Sequence, residues 1–527
     1  MLQREHQSAL YRLLAVLLFV LGTLIRLQAL ASQERAFNSV SEDGYLMLTV
    51  ARNLALGHGM STAAGTIPTN GTQPLVTFLW AGVHALFAGD RASAVSAIVI
   101  IELIVATLAA LCVGRLARDV LRSHAAATSL AWLAAAIWFA SPLTVRHTTN
   151  GLETGVYTLA IAVVLLLDTR WVTSDRWWRA AALGALFGGL FLARNDAVFF
   201  IAAFLVVHLM HDSSAKRSPL SNRLRDVVVM GSTAFIVALP WLLHNVTQFG
   251  YVVPISGQAQ HLNAGIGENV LELPRVFVEY LMMVAPLPSI FVARPLLAAL
   301  AAIGVGLALT LTARHWRQLS LSLDRSVVVM LLFGLLLSVY YGFFFAAGYF
   351  VSRYLFPISI VSVILLAAWF ARAVDSHRWR WIAYAGSALA IGLVTMSSYR
   401  LYARGATHPH FQVVEWVASN VDADVWVGAP QSGTLGYFHD RTINLDGKVN
   451  PRALEARAAG RLIEYIVCDT EITYLADWYG LTRWMDRPAS IPEQQGSFAL
   501  RDAFAYLVKD SSKNLVVLKR TRRDACH

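Results

Sequence analysis

Charge is scarce in this chain. Only 14% of its 527 residues are Asp, Glu, Lys or Arg, while 56% are hydrophobic and the mean hydropathy is +0.53. Soluble domains carry about 25% charged residues, so an ordinary soluble protein is excluded and a bilayer is the expected partner. Cysteine is rarer still, at three residues, which rules out a disulfide-rich scaffold. No His and Cys spacing resembles a zinc site, so no metal is expected. No G-x-x-x-x-G-K loop occurs, so nucleotide use has no support and no cofactor is indicated. The net charge of +10 is scattered between apolar segments and forms no basic arm or stripe, which argues against nucleic acid as a partner. The first apolar run contains Arg26 and lacks a small-residue cleavage site, so it reads as a retained anchor.

What the chain has in quantity is apolar runs. Runs near the length needed to span lie at 11–30, 92–114, 125–143, 154–169, 180–193, 196–210, 226–244, 290–312, 326–347, 354–371 and 381–399. They predict a polytopic α-helical membrane protein with about eleven transmembrane helices. The run 74–88 is read as a helix lying in or dipping into the interface, because only then do alternate loops collect the basic residues. Those residues are Arg4 and Arg12; Arg115, Arg118 and Arg122; Arg170, Arg176 and Arg179; Lys216, Arg217, Arg223 and Arg225; Arg314, Arg317 and Arg325; Arg372, Arg378 and Arg380. By the positive-inside rule these loops and the N-terminus are cytoplasmic, and the C-terminal region is not. Residues 1–401 form the membrane domain on this reading, with 31–91 as its first outer loop. Residues 402–527 have the composition of a soluble extracytoplasmic α/β domain. Its expected elements are helices at 410–419 and 453–461, strands at 424–428, 441–445 and 465–468, and a closing hairpin from 504–508 and 515–519. Two readings are open for Cys468: a disulfide to Cys526 in an oxidising compartment, or a free buried thiol if the tail is loose.

The topology gathers a set of polar side chains on the outer face. Glu42 and Asp43 start a helix there, with Gly57, Gly59, Gly65, Pro68, Gly71 and Pro74 breaking the chain that follows into loop. An acidic pair suits a helix N-terminus, so capping alone is one account of it. Glu153, His58 and Tyr354 fall on the same face with Arg146, Arg194 and Arg353, the three arginines at one depth, and the outer loop 241–286 adds Gln258 and His261 as a lid or acceptor-binding loop. Each arginine has a simpler explanation in snorkelling to the interface. Convergence of several charges at one depth makes a site the better hypothesis.

The stretches EDGYLMLTVARNLALGHG, PTNGTQPL, NGLETGVY, LARNDAVFF, GYFVSRYLFP and SGTLGYFHDRTINLDGKVN resemble those of the GT-C superfamily of integral membrane glycosyltransferases. The relatives are its polyprenyl-phosphate-sugar dependent members: protein O-mannosyltransferases, lipid A aminoarabinose transferases and arabinofuranosyltransferases. The resemblance implies a multi-span protein of the bacterial inner membrane whose first outer loop carries a catalytic carboxylate. The donor it implies is a polyprenyl-phosphate sugar, transferred with inversion to a glycan, lipid or protein acceptor outside the cytoplasm. Asp43 and Glu42 are the candidate bases. The aligned position favours Glu42, while Asp43 is preferred for preceding Gly44, where access is least hindered. Arg353, Arg194, Tyr354 and Arg146 are candidates for the donor phosphate, and His58, Glu153, Gln258 and His261 for sugar or acceptor. A lipid-linked-sugar flippase or other transporter would also be polytopic, but would more often show internal repeats; a non-catalytic envelope scaffold would leave the first loop free to vary. The orientation is checked by reporter fusions. One placed after Arg404 lies outside the cytoplasm and one near Arg217 inside, and equal cytoplasmic labelling of both overturns the assignment.

Overall fold

A helix coincides with each of the apolar runs in the computed structural model, which describes residues 2–171, 177–210, 219–262, 264–283, 287, 292–319, 321–346, 348–376, 378–403, 410–487 and 499–522. Arg176, Lys216, Arg217, Arg404 and Cys526 lie outside the described residues. Six helices among the described residues are long and apolar enough to cross a bilayer, or seven if the bent pair Ala127–Ala140 and Pro142–Thr148 is one span. Others in the series, such as Ala197–Met210, are apolar but shorter. The chain is thus a multi-pass helical membrane protein. The helix Pro74–Leu86 rises only about 20 Å at 1.5 Å per residue, short of the hydrocarbon thickness. The loop expected to start at Trp241 starts later, because Pro240 is accommodated inside the long helix Leu220–Phe249.

Small residues and buried polar staples set the helix packing. Gly184 and Gly188 let Trp177–Ala193 lie against Leu220–Phe249: a Cβ on either would come within 2.5 Å of Met230 or Val237. Arg26, fully buried, donates to the Phe139 carbonyl at 2.5 Å and lies 4.1 Å from the Phe139 ring centre. It therefore does not snorkel; it ties the first helix to the bend that Pro142 makes, where the axis turns by 61°. Beyond the bend, buried Glu102 accepts from the backbone N–H groups of Gly151 at 2.8 Å and Asn150 at 3.3 Å. The Asn150 carbonyl in turn receives Ser41 N–H at 3.0 Å. This chain of contacts fixes the start of the helix Glu42–Ala55, whose first turn Ser41 caps through Gly44 N–H at 3.1 Å.

After Ala403 the fold changes to a five-stranded sheet in the order Thr442–Asn444, Val427–Ala429, Tyr474–Asp477, Leu515–Arg520, Phe504–Asp510. The first three strands are parallel and the last two close it as an antiparallel hairpin. The expected helix and hairpin positions agree to within a few residues. Tyr465–Cys468 does not form a strand but ends the helix Leu462–Cys468, which follows the left-handed turn at Gly460 and buries Ile463, Ile466 and Val467 in the core; the third strand is Tyr474–Asp477. Cys468 is disulfide-bonded and not free. Arg520 donates to the carbonyls of Ile466 and Val467 at 2.8 and 3.0 Å, which holds the end of the strand Leu515–Arg520 beside that helix.

The sheet domain docks on the loop region 31–91. Tyr45 packs on Tyr437 and Phe438 with ring centres 5.0 and 5.6 Å apart, and Phe37 sits 5.0 Å from Phe438. Arg52 and Arg91 share Asp440 at 2.9 and 2.7 Å. Gly433 touches the Glu42 backbone so closely that a Cβ would stand 2.0 Å from its carbonyl oxygen. Gly433→Val is therefore expected to destabilise the protein by about 2 kcal/mol or more, read as a lower melting temperature and faster proteolytic release of the sheet domain; an unchanged melt contradicts this docking.

Candidate active site

Asp43 lies in the first turn of Glu42–Ala55 and faces a cavity of about 370 Å³ between the membrane helices and the sheet domain. Its carboxylate is held from both sides. Arg353 Nη1 donates to Oδ2 at 2.8 Å, and Lys448 Nζ, which also lies 3.5 Å from Asp446, donates to Oδ1 at 3.4 Å. Burial alone would raise the pKa of Asp43, but the two cations outweigh it and hold the carboxyl at about 2. Burial likewise opposes the charge on Lys448, and the acids Asp43 and Asp446 raise its pKa nonetheless.

Arg353 sits on the short helix Val351–Tyr354. Ser352 beside it donates to Glu279 at 2.6 Å, and Tyr280 donates to the Ser352 carbonyl at 2.5 Å, so the backbone under Arg353 is pinned. Its guanidinium lies 4.6 Å from the Phe350 ring centre and 5.1 Å from that of Tyr354, over aromatic faces. Arg194 lines the same cavity, yet it is committed: it forks onto Asp196 at 3.0 and 2.5 Å and stacks between Tyr157 and Tyr354. Tyr341 donates to Asp196 at 2.7 Å and stacks on Tyr354 at 4.4 Å. Arg194 thus builds the wall that orients Tyr354, and its charge is already neutralised. Glu153 lies 3.9 Å from Arg194, and His261, from the helix Ile255–His261, meets the Tyr340 hydroxyl at 2.8 Å.

Asp43, Arg353, Arg194, Tyr354, Glu153 and His261 therefore share one cavity; four other candidates do not reach it. Glu42 turns to the sheet domain, where its carboxylate accepts from Gly433 N–H, from Thr434 N–H at 2.9 Å and from the Thr434 hydroxyl. It caps the helix Gly433–Phe438, because neighbouring helical side chains point about 100° apart and cannot serve one spot. Arg146 is exposed and does not line the cavity. His58 is exposed in the glycine turn after the helix. Gln258 folds back onto the Val253 carbonyl at 3.1 Å, while Ser256, Gly257, Gln260 and His261 present the face that lines the cavity. Gly44 does not open a path for an acceptor either, since a Cβ there would stand 2.1 Å from the Asn150 carbonyl oxygen.

The sequence reading missed Lys448. Its signal lay in DGK: beside the left-handed Gly447, at φ +79°, Lys448 meets Asp43 of the first loop while staying 3.5 Å from Asp446, and Gly71 leaves room for the Lys448 carbonyl.

A family described as dolichyl-phosphate-mannose-protein mannosyltransferase matches residues 70–244, and a domain of unknown function (DUF8728) matches residues 398–511. No curated protein matches the chain. Among solved structures, ArnT from Cupriavidus metallidurans in the apo state superposes with a TM-score of 0.56 at 12% identity, over 95% of this chain and 97% of that one. The same protein bound to undecaprenyl phosphate gives 0.55 at 11%, with the same coverage. The apo oligosaccharyltransferase of Archaeoglobus fulgidus gives 0.54 at 13%, over 97% of this chain and 75% of that one. The chain has the GT-C fold. In that GT-C frame the cavity forms where the 31–91 loop region, the Val351–Tyr354 turn and the sheet domain meet.

The electrostatics of Asp43 are testable. Its carboxyl titrates below the ordinary 3.8, so its ion pairs stabilise the fold fully above that value, and the contribution is lost as pH falls through about 2. Lys448→Met with Arg353→Met leaves the burial effect unopposed and moves the titration upward. The stability difference from the matching Asp43→Asn proteins, followed by melting against pH, should shift to higher pH in the double variant. An unshifted curve contradicts the pairing.

Proposed function

We propose that this protein is a membrane glycosyltransferase that moves a sugar from a polyprenyl-phosphate donor to an extracytoplasmic acceptor hydroxyl, with Asp43 as general base. The observation that carries the reading is one carboxylate held between Arg353 and Lys448 at the wall of a cavity of ligand-binding size. The ArnT and oligosaccharyltransferase structures, the latter also solved in complex with a dolichol-phosphate, support the donor class through the shared fold. The distribution of its basic loops supports an orientation with the N-terminus inside and the sheet domain outside, and the resemblance to bacterial GT-C enzymes supports the inner membrane as its location.

A sugar on a lipid phosphate carries its own leaving group. In transfer, the acceptor oxygen bonds to the anomeric carbon, the bond from that carbon to the phosphate oxygen breaks, and the phosphate departs with the electron pair. The protein must take the hydroxyl proton and steady the phosphate charge. Asp43 at a pKa of about 2 is a weak base while both cations hold it. A donor phosphate entering the cavity competes for Arg353 and Lys448. As they turn to it, Asp43 is left in a buried setting that raises its proton affinity, so base strength rises when the donor is bound. Arg353 offers the phosphate a planar fork and Lys448 a point charge. Tyr354, Glu153 and His261 line the space left for sugar and acceptor. The acceptor is a glycan, lipid or protein of the cell envelope, and inversion follows from attack opposite the departing phosphate.

In membranes holding equal amounts of each protein, Asp43→Asn is expected to lower sugar transfer about a hundredfold or more, the usual scale for a lost general base, with the donor still bound. Glu42→Gln should chiefly lower thermal stability. Arg353→Lys and Lys448→Ala should weaken donor binding while the proteins still insert. Near wild-type transfer by Asp43→Asn defeats the reading and brings forward a flippase or a scaffold.

A further inference from the structure

A second and larger cavity lies away from the active-site cavity. It encloses about 620 Å³ and shares no lining residue with the first. Its walls come from the first helix, Ala127–Ala140, Ser359–Asp375 and Arg380–Ala403, and are formed by side chains such as Leu14, Leu18, Ile137, Phe370, Ile382 and Ile391. Along Arg380–Ala403 the wall is cut back by Ala383, Gly386, Ser387 and Ala390, small residues at helical spacing, and a Cβ added to Gly386 meets nothing within 4 Å.

One end of this groove is polar. His315, Arg372 and Trp379 line it there. Arg372 is exposed and has no carboxylate within ion-pair distance among the described residues; it reaches only Gln318, at 3.4 Å, which also meets His315 at 3.0 Å. Arg378 lies 5.3 Å from the Trp379 ring centre, at the same rim. Asp375, three residues on from Arg372, is taken by Gln7 at 2.9 Å and lies 3.7 Å from His124. The rim is thus a cationic patch with a tryptophan at its edge, above an apolar slot that runs into the membrane. Arg372 sits in the last turn of Ser359–Asp375, whose first turn adjoins Arg353 and Tyr354. The two charged ends are therefore separated by most of that helix, about 20 Å, and a donor phosphate in the active-site cavity cannot also reach Arg372.

We propose that this groove is a binding site for an anionic phospholipid, with its phosphate at Arg372 and His315, Trp379 at the headgroup level and one acyl chain along the small-residue face of Arg380–Ala403. Basic pockets between transmembrane helices on the cytoplasmic side suit such headgroups, and the basic loops assign this end to that side. A zwitterionic lipid would fill the apolar slot equally well but would leave Arg372 without a net countercharge. The site does not depend on the sugar-transfer reading.

The test is melting of the whole purified protein, stripped of lipid in a neutral detergent, with dioleoylphosphatidylglycerol, dioleoylphosphatidylcholine or undecaprenyl phosphate added. Phosphatidylglycerol should raise the melting temperature by about 3 °C or more over phosphatidylcholine, as ligands that bind the native state do. Arg372→Gln, at an exposed position, should remove that excess. Gly386→Phe, which fills the slot, should weaken the response to both phospholipids. Equal shifts from the two phospholipids in the wild type overturn the proposal, as does an excess that survives Arg372→Gln. An equal excess from undecaprenyl phosphate that is also lost in Arg372→Gln overturns it too, because the groove would then belong to the donor's path. Should Gly386→Phe fail to fold, the Arg372→Gln comparison still decides.

Discussion

Everything in the site depends on a half-buried carboxylate that stays charged because two cations from distant parts of the chain converge on it. Asp43 is separated by 310 residues from Arg353 and by 405 from Lys448. Neither a loop nor a helix bundle alone brings these groups together. The membrane helices must set the depth of the Val351–Tyr354 turn, and the sheet domain must sit on the first loop, before the three can meet. Much of the polar interior serves that end. Glu102 holds the 150–151 loop that seats the first turn of Glu42–Ala55, and Glu279 and Tyr280 hold Ser352 beside Arg353. Each is a buried polar group with a partner, where an unpartnered one would be costly.

The helices were legible in the sequence because bilayer burial writes itself as long apolar runs, and Pro240 and Arg26 did not disturb that signal. The acidic pair was legible as a helix start beside a glycine-rich loop. Which acid faces the cavity was not, because direction around a helix depends on what packs against each side. Glu42 meets the N–H groups of residues 433 and 434, a partner nearly four hundred positions away. Arg194 illustrates the same limit. Its position between two apolar helices could be read, but Asp196, two residues on, which neutralises it, looked in sequence like a second free charge.

The 465–468 segment shows a local pattern overruled by its setting. Its β-branched residues favour a strand, yet the left-handed turn at Gly460 starts a helix that buries them just as well. Lys448 went unread for a different cause. A lysine after Asp-Gly in a soluble-looking domain is ordinarily solvated, and only the docking of that domain turns it into a half-buried cation paired with Asp43.

The cap that Glu42 places on the helix Gly433–Phe438 has a consequence for modularity. The sheet domain has its own core and its own fold, as an exchangeable unit would. Yet the acid that anchors it is the chain neighbour of the acid whose charge its lysine balances. A graft from another source would have to supply both a helix start for Glu42 and a cation for Asp43, in one rigid arrangement. Recombination at residue 400 is thereby restricted to partners that match two separate features at once, and the domain and the first loop are expected to change together or not at all.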